Sequence, residues 1–220
     1  MRVIAVIPAY NEVQTIAEVL KKTRPFVDRL IVVDDGSSDD TAAQAPGQGI
    51  ILVRHRLNRG LGAALQTGFA AALRLGADVV VTLDADLQHN PSEIVIFLQA
   101  IKDGADVVIG SRMIKSAGMP WHRILANTIG NLVTLILFGA YVTDSQSGFR
   151  ALTANAIRAM DLRTERMEIS SELVAEAKRC GLKLQEVPIS AIYTSYSLSK
   201  GQGFFTGLKT LSKLILRRLR

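Results

Sequence analysis

The chain has 220 residues, of which 48% are hydrophobic and 21% are charged, and its formal net charge is +6. This length fits one α/β domain, or one domain with a short appendage, and the apolar content excludes a disordered protein. Residues 201–220 contain five lysines and arginines and no acidic residue, so the rest of the chain is nearly neutral. This distribution excludes a broad nucleic-acid-binding surface and indicates an anionic partner for the tail.

The single cysteine, Cys180, cannot form an internal disulfide, which favours a reducing compartment. We expect this thiol to be buried on a helix. Residues 1–10 have the pattern of a short apolar strand that breaks at Pro8, and not that of a signal peptide. The sequence therefore predicts a cytoplasmic protein.

Short apolar runs rich in β-branched residues alternate with helical patterns in the first half of the chain. The predicted strands cover residues 3–7, 30–33, 50–53, 79–83 and 106–109. This alternation predicts a mainly parallel central sheet with right-handed crossovers, flanked by helices. Near the C-terminus the pattern indicates a helix that ends at about residue 179 and a last strand at 182–190.

Two carboxylates, Asp84 and Asp86, follow the fourth predicted strand directly. In extended geometry both would leave the same face of the chain, and Gln88 would continue the spacing. Ligands of open α/β sheets bind outside the carboxyl ends of the strands, and carboxylate and amide oxygens suit Mg²⁺ or Mn²⁺. We therefore predict a metal site here, with a solvated loop as the alternative. Asn90 and Pro91 then predict a helix N-cap and first helical position.

Gly60 and Gly62 raise the alternative of a dinucleotide-binding loop. The third glycine of that motif would be at position 65, which is leucine, and the pair follows the third predicted strand and not the first. The sequence contains no P-loop motif, and its three histidines are scattered and near no cysteine pair. Dinucleotide, P-loop and zinc chemistry are therefore all disfavoured.

Six short motifs occur in a fixed order between residues 2 and 200. They are IPAYNE at 7–12, VDDGSSD at 33–39, NRGLG at 58–62, LDADLQ at 83–88, GSR at 110–112 and DSQSGFR at 144–150. Together they closely resemble the family 2 glycosyltransferases, and within that family the polyprenyl-phosphate sugar transferases, including the dolichyl-phosphate mannose synthases. One such motif is a weak signal, whereas six in order are a strong one.

The resemblance implies a nucleotide-diphospho-sugar transferase fold of the GT-A type for residues 1–200, and roles for single residues. Positions that hold the donor's base and ribose are matched by Pro8, Ala9, Tyr10, Glu12 and Asp35. Positions on the ribose and diphosphate are matched by Asp84, Ala85 and Asp86. The resemblance places Asp86 and Gln88 on the metal, which agrees with the oxygen ligands inferred above from the residues alone.

The same resemblance implies a site for the acceptor. Positions near the acceptor phosphate are matched by Arg112, Arg123 and Lys200. The arginine that often precedes the Ser-Lys pair of the lipid-phosphate enzymes is absent before Lys200. Asp144 belongs to a stretch that returns to the active site in related enzymes, where it would act as a general base or orient the acceptor; a strand-end turn is the alternative. The expected catalytic residues are thus Asp86, Asp144 and Arg112.

Two further segments indicate contact with a membrane. Residues 121–142 are apolar with a polar stripe that includes Arg123 and Asn131, which is typical of a buried helix with one wet edge or of an interfacial helix. The resemblance favours the interfacial helix. Residues 204–220 separate basic from apolar side chains on a helical wheel. We expect residues 201–220 to form a basic amphipathic helix on an anionic membrane, or else a terminal helix docked on the sheet.

These observations and the resemblance together predict a metal-dependent glycosyltransferase, peripherally associated with the inner face of the membrane. The resemblance implies that the transfer proceeds with inversion at the sugar carbon. It would move a sugar from GDP-mannose or a UDP-hexose to a polyprenyl or dolichyl phosphate. The expected partners are the nucleotide sugar, the lipid phosphate, the membrane surface, and a membrane subunit or a second copy, but no nucleic acid. One alternative is transfer to a sugar or protein hydroxyl, and another is a nucleotide-sugar-binding module without turnover.

Overall fold

A computed structural model describes residues 1–45, 47, 49–114, 128, 129, 131, 135, 142–190 and 192. The predictions made for Arg123, for Lys200 and for the tail at 201–220 fall outside these residues. The division of the chain at residue 200 therefore stays a prediction. No helix within the described residues has the length and apolarity needed to cross a bilayer.

The strands of the described residues form one mixed sheet. They are β1 (Val3–Ala9), β2 (Arg29–Asp34), β3 (Ile50–Arg54), β4 (Val79–Thr82), β5 (Val107–Ser111), β6 (Arg150–Thr153) and β7 (Leu184–Pro188). Their order in the sheet is β3-β2-β1-β4-β6-β5-β7. Every neighbouring pair is parallel except the two that include β6, which is antiparallel to both β4 and β5. The predicted mainly parallel sheet is thus confirmed.

Helices cover both faces of this sheet. They are α1 (Ile16–Thr23), α2 (Thr41–Gln44), α3 (Leu61–Arg74), α4 (Ile94–Lys102), α5 (Ala154–Ala159) and α6 (Ile169–Arg179), with 3₁₀ turns at Arg24–Phe26 and Pro91–Glu93. The predicted cap before α4 is confirmed, because the Asn90 side chain accepts a hydrogen bond from the Ser92 N–H. Cys180 lies at the C-terminal cap of α6 and is only half-buried, where full burial on a helix was expected.

The central strands are buried on both faces, which explains why they are continuous apolar runs. Val3, Ala5 and Ile7 of β1 point to the face covered by α1 and α4. The alternate residues Ile4 and Val6 point to the face covered by α3, α5 and α6. The core therefore holds the strands rigidly and leaves their carboxyl ends to carry the variable loops.

The sequence predicts no strand at β6, which has four residues and begins with an arginine. Pairing sets Arg150 opposite both Thr82, the last residue of β4, and Ile109 of β5. Because β6 runs against its neighbours, the loop that precedes it lies at the carboxyl edge of the parallel strands. This loop carries the motif at 144–150, so β6 is the element that delivers that motif to the edge.

Gly60 and Gly62 are explained by close packing at the start of α3. A Cβ atom on Gly62 would lie 2.1 Å from the carbonyl oxygen of Thr164, and Gly60 has φ +107°. The Ala63 N–H also donates to the Glu165 carbonyl at 2.9 Å. These two glycines therefore let the loop at 164–166 approach the helix backbone, which a dinucleotide-binding loop would not require.

Replacing Gly62 with alanine should destabilise the fold by about 1–3 kcal/mol, because the overpacking outweighs the roughly 1 kcal/mol that alanine gains in helix propensity. Urea unfolding measures the change in the free energy of unfolding. Ala70→Gly, at an exposed position of the same helix, calibrates the propensity contribution and should cost about 1 kcal/mol. A Gly62→Ala variant more stable than the wild type would contradict this packing.

Candidate active site

The residues expected from the sequence to bind the donor and the metal lie in the strands β1, β2 and β4 or in the loops that follow them, at the carboxyl edge of the sheet. These strands are neighbours and parallel, so the loops that follow them adjoin. The Asp35 N–H donates to the Ala9 carbonyl at 2.8 Å and thereby joins the loops after β1 and β2. The Thr82 hydroxyl donates to the Gly148 carbonyl at 2.7 Å and joins the end of β4 to the loop before β6.

The loop after β1 is held against the loop after β2. Asn11 adopts φ +55°, a left-handed conformation that asparagine tolerates. Its N–H donates to Ser37 Oγ and its side-chain oxygen accepts from the Ser38 N–H, each at 2.9 Å. The Glu12 N–H donates to the Thr41 hydroxyl at 2.7 Å. Tyr10 remains 46% exposed at this edge, where an aromatic ring can stack on a flat ligand.

Asp35 is buried, and its carboxylate already has protein partners. Oδ1 accepts from the Arg59 N–H at 3.0 Å and lies 2.7 Å from His55 Nδ1, and Oδ2 accepts from the Gly60 N–H at 2.6 Å. Thr67 Oγ1 lies 3.0 Å from the other ring nitrogen of His55. The structure therefore shows Asp35 fixing the loop before α3, and its contact with a donor stays a prediction.

A cavity of about 330 Å³ opens beside this network. It is lined by Gly36, Ser37, Arg54, His55 and Arg56. Its volume lies at the lower end of the roughly 300–1,000 Å³ typical of small-molecule sites. Arg54 contributes to its wall, and its Nε lies 3.0 Å from the buried carboxylate of Asp34.

The chain turns immediately after β4, so the extended geometry assumed from the spacing of Asp84, Asp86 and Gln88 is not observed. Residues 85 and 86 form a turn, and Leu87 has φ +64°. Gln88 folds back onto Asp86: its backbone N–H donates to Oδ1 at 3.0 Å and its side-chain amide donates to Oδ2. A 180° turn of this amide would bring its oxygen to the position that its nitrogen now occupies.

Asp84 packs closely against Gly148. A Cβ atom on Gly148 would lie 2.2 and 2.3 Å from the two carboxylate oxygens of Asp84. On the other side, Nε2 of the buried His89 lies 3.1 Å from Asp84 Oδ2. The glycine of the motif at 144–150 is therefore required by the Asp84 carboxylate.

The two carboxylates have pKa values shifted in opposite directions. Burial raises the pKa of Asp84, but the hydrogen bond and charge of His89 and the positive charges of Arg150 and Arg112 outweigh it and hold the pKa below its ordinary value. Burial and the negative charge of Asp84 raise the pKa of Asp86 above its ordinary value. A divalent cation on these carboxylates would favour the charged form of both and relieve their repulsion.

The donor set fits a hard divalent cation. No cluster of three or more histidine, cysteine, aspartate or glutamate side chains able to hold a metal ion occurs in the part of the chain that the structure describes. Mg²⁺ is commonly held by one or two carboxylates, with water and substrate phosphates completing its coordination. Asp84 and Asp86 therefore match the one or two carboxylates that a protein usually supplies to a metal–nucleotide site. Gln88 would have to turn its amide before its oxygen could bind the same cation.

Asp144 forms a buried two-point ion pair with Arg112. Arg112 Nε donates to Oδ2 at 2.7 Å and Nη2 donates to Oδ1 at 2.8 Å. The Asp144 side chain is 0% exposed and that of Arg112 is 18% exposed. Glu186 of β7 accepts from the N–H groups of Thr143 and Asp144 at 2.9 and 3.2 Å. Paired in this way, Asp144 holds Arg112 in one orientation at the rim of the site.

The sequence suggested no role for Arg150, which places a buried positive charge near the carboxylates of Asp84 and Asp144. It is 1% exposed, and burial lowers its pKa to about 10, although Asp84 and Asp144 act in the opposite direction. Its Nη2 donates to the Ser145 carbonyl at 3.2 Å, and its Nε has no hydrogen-bond partner among the described residues. Arg150 is therefore charged at neutral pH and stabilises the negative charge of both carboxylates.

Asn131, one member of the predicted polar stripe, is 7% exposed. Its side-chain oxygen accepts from the N–H and the hydroxyl of Ser145 at 3.0 and 2.9 Å, and its amide donates to the Thr143 carbonyl. At this position the polar residue supports the 143–145 segment of the site. This agrees with the buried-helix alternative for Asn131 itself.

The Gly148→Ala substitution should displace the Asp84 carboxylate, because the added Cβ atom would overlap both of its oxygens. We expect Mn²⁺ to bind about 10–100-fold more weakly, the usual cost of disturbing a group that orients a metal ligand. Titration followed by electron paramagnetic resonance of free Mn²⁺ measures this. Gly47→Ala is the control, since its Cβ would meet only the end of the Ile50 side chain, at 3.1 Å. Unchanged Mn²⁺ affinity in Gly148→Ala would remove Asp84 from the metal site.

The chain matches the family described as Glycosyl transferase family 2 over residues 4–154. It is 37% identical to the UDP-N-acetylglucosamine--dolichyl-phosphate N-acetylglucosaminyltransferase of Methanococcus voltae, over 97% of this chain and 95% of that protein. It is 34% identical to the undecaprenyl-phosphate mannosyltransferase of Micrococcus luteus, over 94% of this chain and 90% of that protein.

A solved structure of glucosyl-3-phosphoglycerate synthase from Mycobacterium tuberculosis, in complex with Mn²⁺, uridine diphosphate and phosphoglyceric acid, has a similar fold. Its TM-score is 0.74 at 22% identity, and the match covers 99% of this chain and 78% of that one. This likeness confirms the expected GT-A fold of nucleotide-sugar transferases. The family match spans the strands from β1 to β6 and therefore includes Asp84, Asp86 and Asp144. The chain belongs to the family 2 glycosyltransferases.

Proposed function

We propose that this glycosyltransferase moves a sugar from a nucleoside diphosphate sugar to the phosphate of a polyprenyl or dolichyl phosphate, with a divalent cation and with inversion at the sugar carbon. Two relatives that match nearly the whole chain are named for dolichyl-phosphate and undecaprenyl-phosphate transfer. Within this chain, the observation that carries the acceptor class is the buried ion pair of Asp144.

A hydroxyl acceptor needs a general base with a free oxygen, whereas a phosphate monoester, with a second pKa near 6, is already anionic at neutral pH. Asp144 is fully buried and both of its oxygens accept hydrogen bonds from Arg112. To remove a proton from an acceptor, Asp144 would first have to become exposed, and its two-point pair with Arg112 opposes that movement. Its geometry therefore suits holding Arg112 for an anionic acceptor, which needs positioning more than deprotonation.

The donor side supports the same reaction. Asp84 and Asp86 would hold Mg²⁺ or Mn²⁺, which when bound can neutralise the nucleoside diphosphate as it leaves. Tyr10 is exposed after β1, the strand next to β4, and we propose it for the base, while Asp35 fixes the loop before α3. The remaining contacts proposed for the donor come from Pro8, Ala9, Glu12 and Ala85.

For the lipid acceptor we propose that Arg123 and Lys200 join Arg112 at the phosphate. We also propose that the basic tail at 201–220 holds the enzyme on the anionic inner face of the membrane, with a membrane subunit or a second copy as its partner there. The support is sequence-based: residues 201–220 contain five basic residues and no acidic one. Attraction of such a tail to an anionic surface is worth about 1 kcal/mol per basic residue.

Transfer should require the cation and the Asp86 carboxylate. Excess EDTA should abolish transfer from a nucleotide sugar to polyprenyl phosphate, and added Mn²⁺ or Mg²⁺ should restore it. Asp86→Ala should abolish transfer, and added Mn²⁺ or Mg²⁺ should not restore it. The unfolding midpoint of this variant should equal that of the wild type. Asp103→Asn is the control, because it also removes one carboxylate, but at an exposed position after α4. This variant should keep full activity. Full activity in EDTA would contradict metal dependence, and a wild-type protein that binds donor without turnover would favour a non-catalytic module.

Polyprenol and polyprenyl phosphate of equal chain length distinguish the two acceptor classes, with radiolabelled product as the measurement. We expect product from the phosphate only. Asp144→Asn should raise the acceptor KM, because Arg112 loses its charged partner, and should lower kcat by less than the ~10²–10⁴-fold expected for loss of a general base. Two results together would favour the hydroxyl-acceptor alternative. Asp144→Asn would lose all transfer although both substrates still bind, and the wild-type protein would transfer to a free sugar.

A further inference from the structure

His89 is a buried side chain beside the proposed metal site that neither the sequence nor the proposed reaction has yet given a role. Its side chain is 3% exposed, and its Nε2 lies 3.1 Å from Asp84 Oδ2. A carboxylate only accepts hydrogen bonds, so Nε2 carries the hydrogen in this contact. Nδ1, in contrast, has no hydrogen-bond partner among the described residues.

Asp84 has one open and one supported side. Its side chain is 39% exposed, so part of the carboxylate faces the site. On the supported side, Gly148 leaves room for the oxygens, and His89 is the hydrogen-bond donor that the described residues supply to them. Gly148 has no side chain that could block other rotamers of Asp84. Without the hydrogen bond from His89, the carboxylate could therefore rotate away from the site.

The imidazole itself is held firmly. It packs on the ring of Phe149, with centroids 5.2 Å apart, and Phe149 stacks on Phe97 of α4 at 4.3 Å. The loop that carries His89 is tied at both ends: the Gln88 carbonyl accepts from the Ile192 N–H at 3.2 Å, and Asn90 caps the following turn. A fixed donor of this kind can impose one orientation on the carboxylate that it contacts.

We propose that His89 is a positioning residue for the metal site, and that its Nε2–H holds Asp84 in the orientation that binds the divalent cation. This inference rests on the proposed metal-dependent function. His89 does not touch substrate or cation in this proposal; it acts through Asp84. Loss of the hydrogen bond should weaken cation binding by about 10–100-fold, as for other groups that orient metal ligands.

Glutamine and asparagine at position 89 separate the hydrogen bond from the packing. The side-chain nitrogen of glutamine reaches about as far as Nε2 and can still donate to Asp84. The nitrogen of asparagine reaches only the Nδ1 position, which has no acceptor among the described residues. We measure Mn²⁺ affinity by electron paramagnetic resonance on the full chain with a fixed concentration of UDP or GDP, and thermal unfolding of the same samples without metal.

In His89→Asn we expect the Mn²⁺ dissociation constant to rise about 10–100-fold, and the transferase activity to return towards the wild-type kcat at saturating Mn²⁺. His89→Gln should stay within about threefold of the wild type. Both variants should unfold at similar temperatures, so that lost packing cannot explain the difference between them. If His89→Asn does not fold, the glutamine variant alone decides, because weak Mn²⁺ binding by a folded His89→Gln overturns the proposal.

Two other results separate this inference from the proposed function. Wild-type Mn²⁺ affinity in His89→Asn, with normal activity in both proteins, overturns the role of His89 and leaves the metal-dependent reaction standing. Equal loss of affinity in both variants also overturns it, since ring packing would then be the cause. A wild-type protein that binds no Mn²⁺ with either nucleotide overturns the metal dependence and, with it, this inference.

Discussion

The antiparallel insertion of β6 between β4 and β5 is the constraint on which the site depends. By pairing Arg150 with Thr82, it brings the loop before β6 to the carboxyl edge of the parallel strands. That loop then places Gly148 against Asp84 and Asp144 against Arg112. A wholly parallel sheet would give β4 and β5 no such loop between them, and Asp84 would not be joined to the Asp144–Arg112 pair.

The groups joined by β6 alternate in charge across the site. Asp84 and Asp144 are negative, and the buried Arg150 stabilises both, while Arg112 pairs with Asp144. Removing Arg112 would leave the buried Asp144 without its ion-pair partner, which typically costs about 3–5 kcal/mol. Burial and the negative charge of Asp84 raise the pKa of Asp86 above its ordinary value, although Gln88 and His89 act in the opposite direction.

Local pattern was sufficient for β1, β2, β4 and β5, because a strand buried on both faces must be a continuous apolar run. It was also sufficient for the edge strand β3, which is a short apolar run although it is only partly buried. Six ordered motifs were sufficient for the family, which the match over residues 4–154 confirms. Tertiary contacts decided the rest. Spacing alone cannot reveal the turn that folds Gln88 onto Asp86, since Leu87 takes a positive φ there. A lone His89 in sequence carries no sign of its contact with Asp84, and β6 is too short, with Arg150 at its head, to be recognised by periodicity.

Diffraction data collected at the manganese absorption edge, from crystals grown with Mn²⁺ and a nucleoside diphosphate, test the central claim most directly. The predicted result is an anomalous peak bound by the carboxylates of Asp84 and Asp86, with the diphosphate on the same ion and the Arg112–Asp144 pair intact beside it. A bound nucleotide whose Mn²⁺ peak lies away from both carboxylates, or that carries no Mn²⁺ peak, would contradict it.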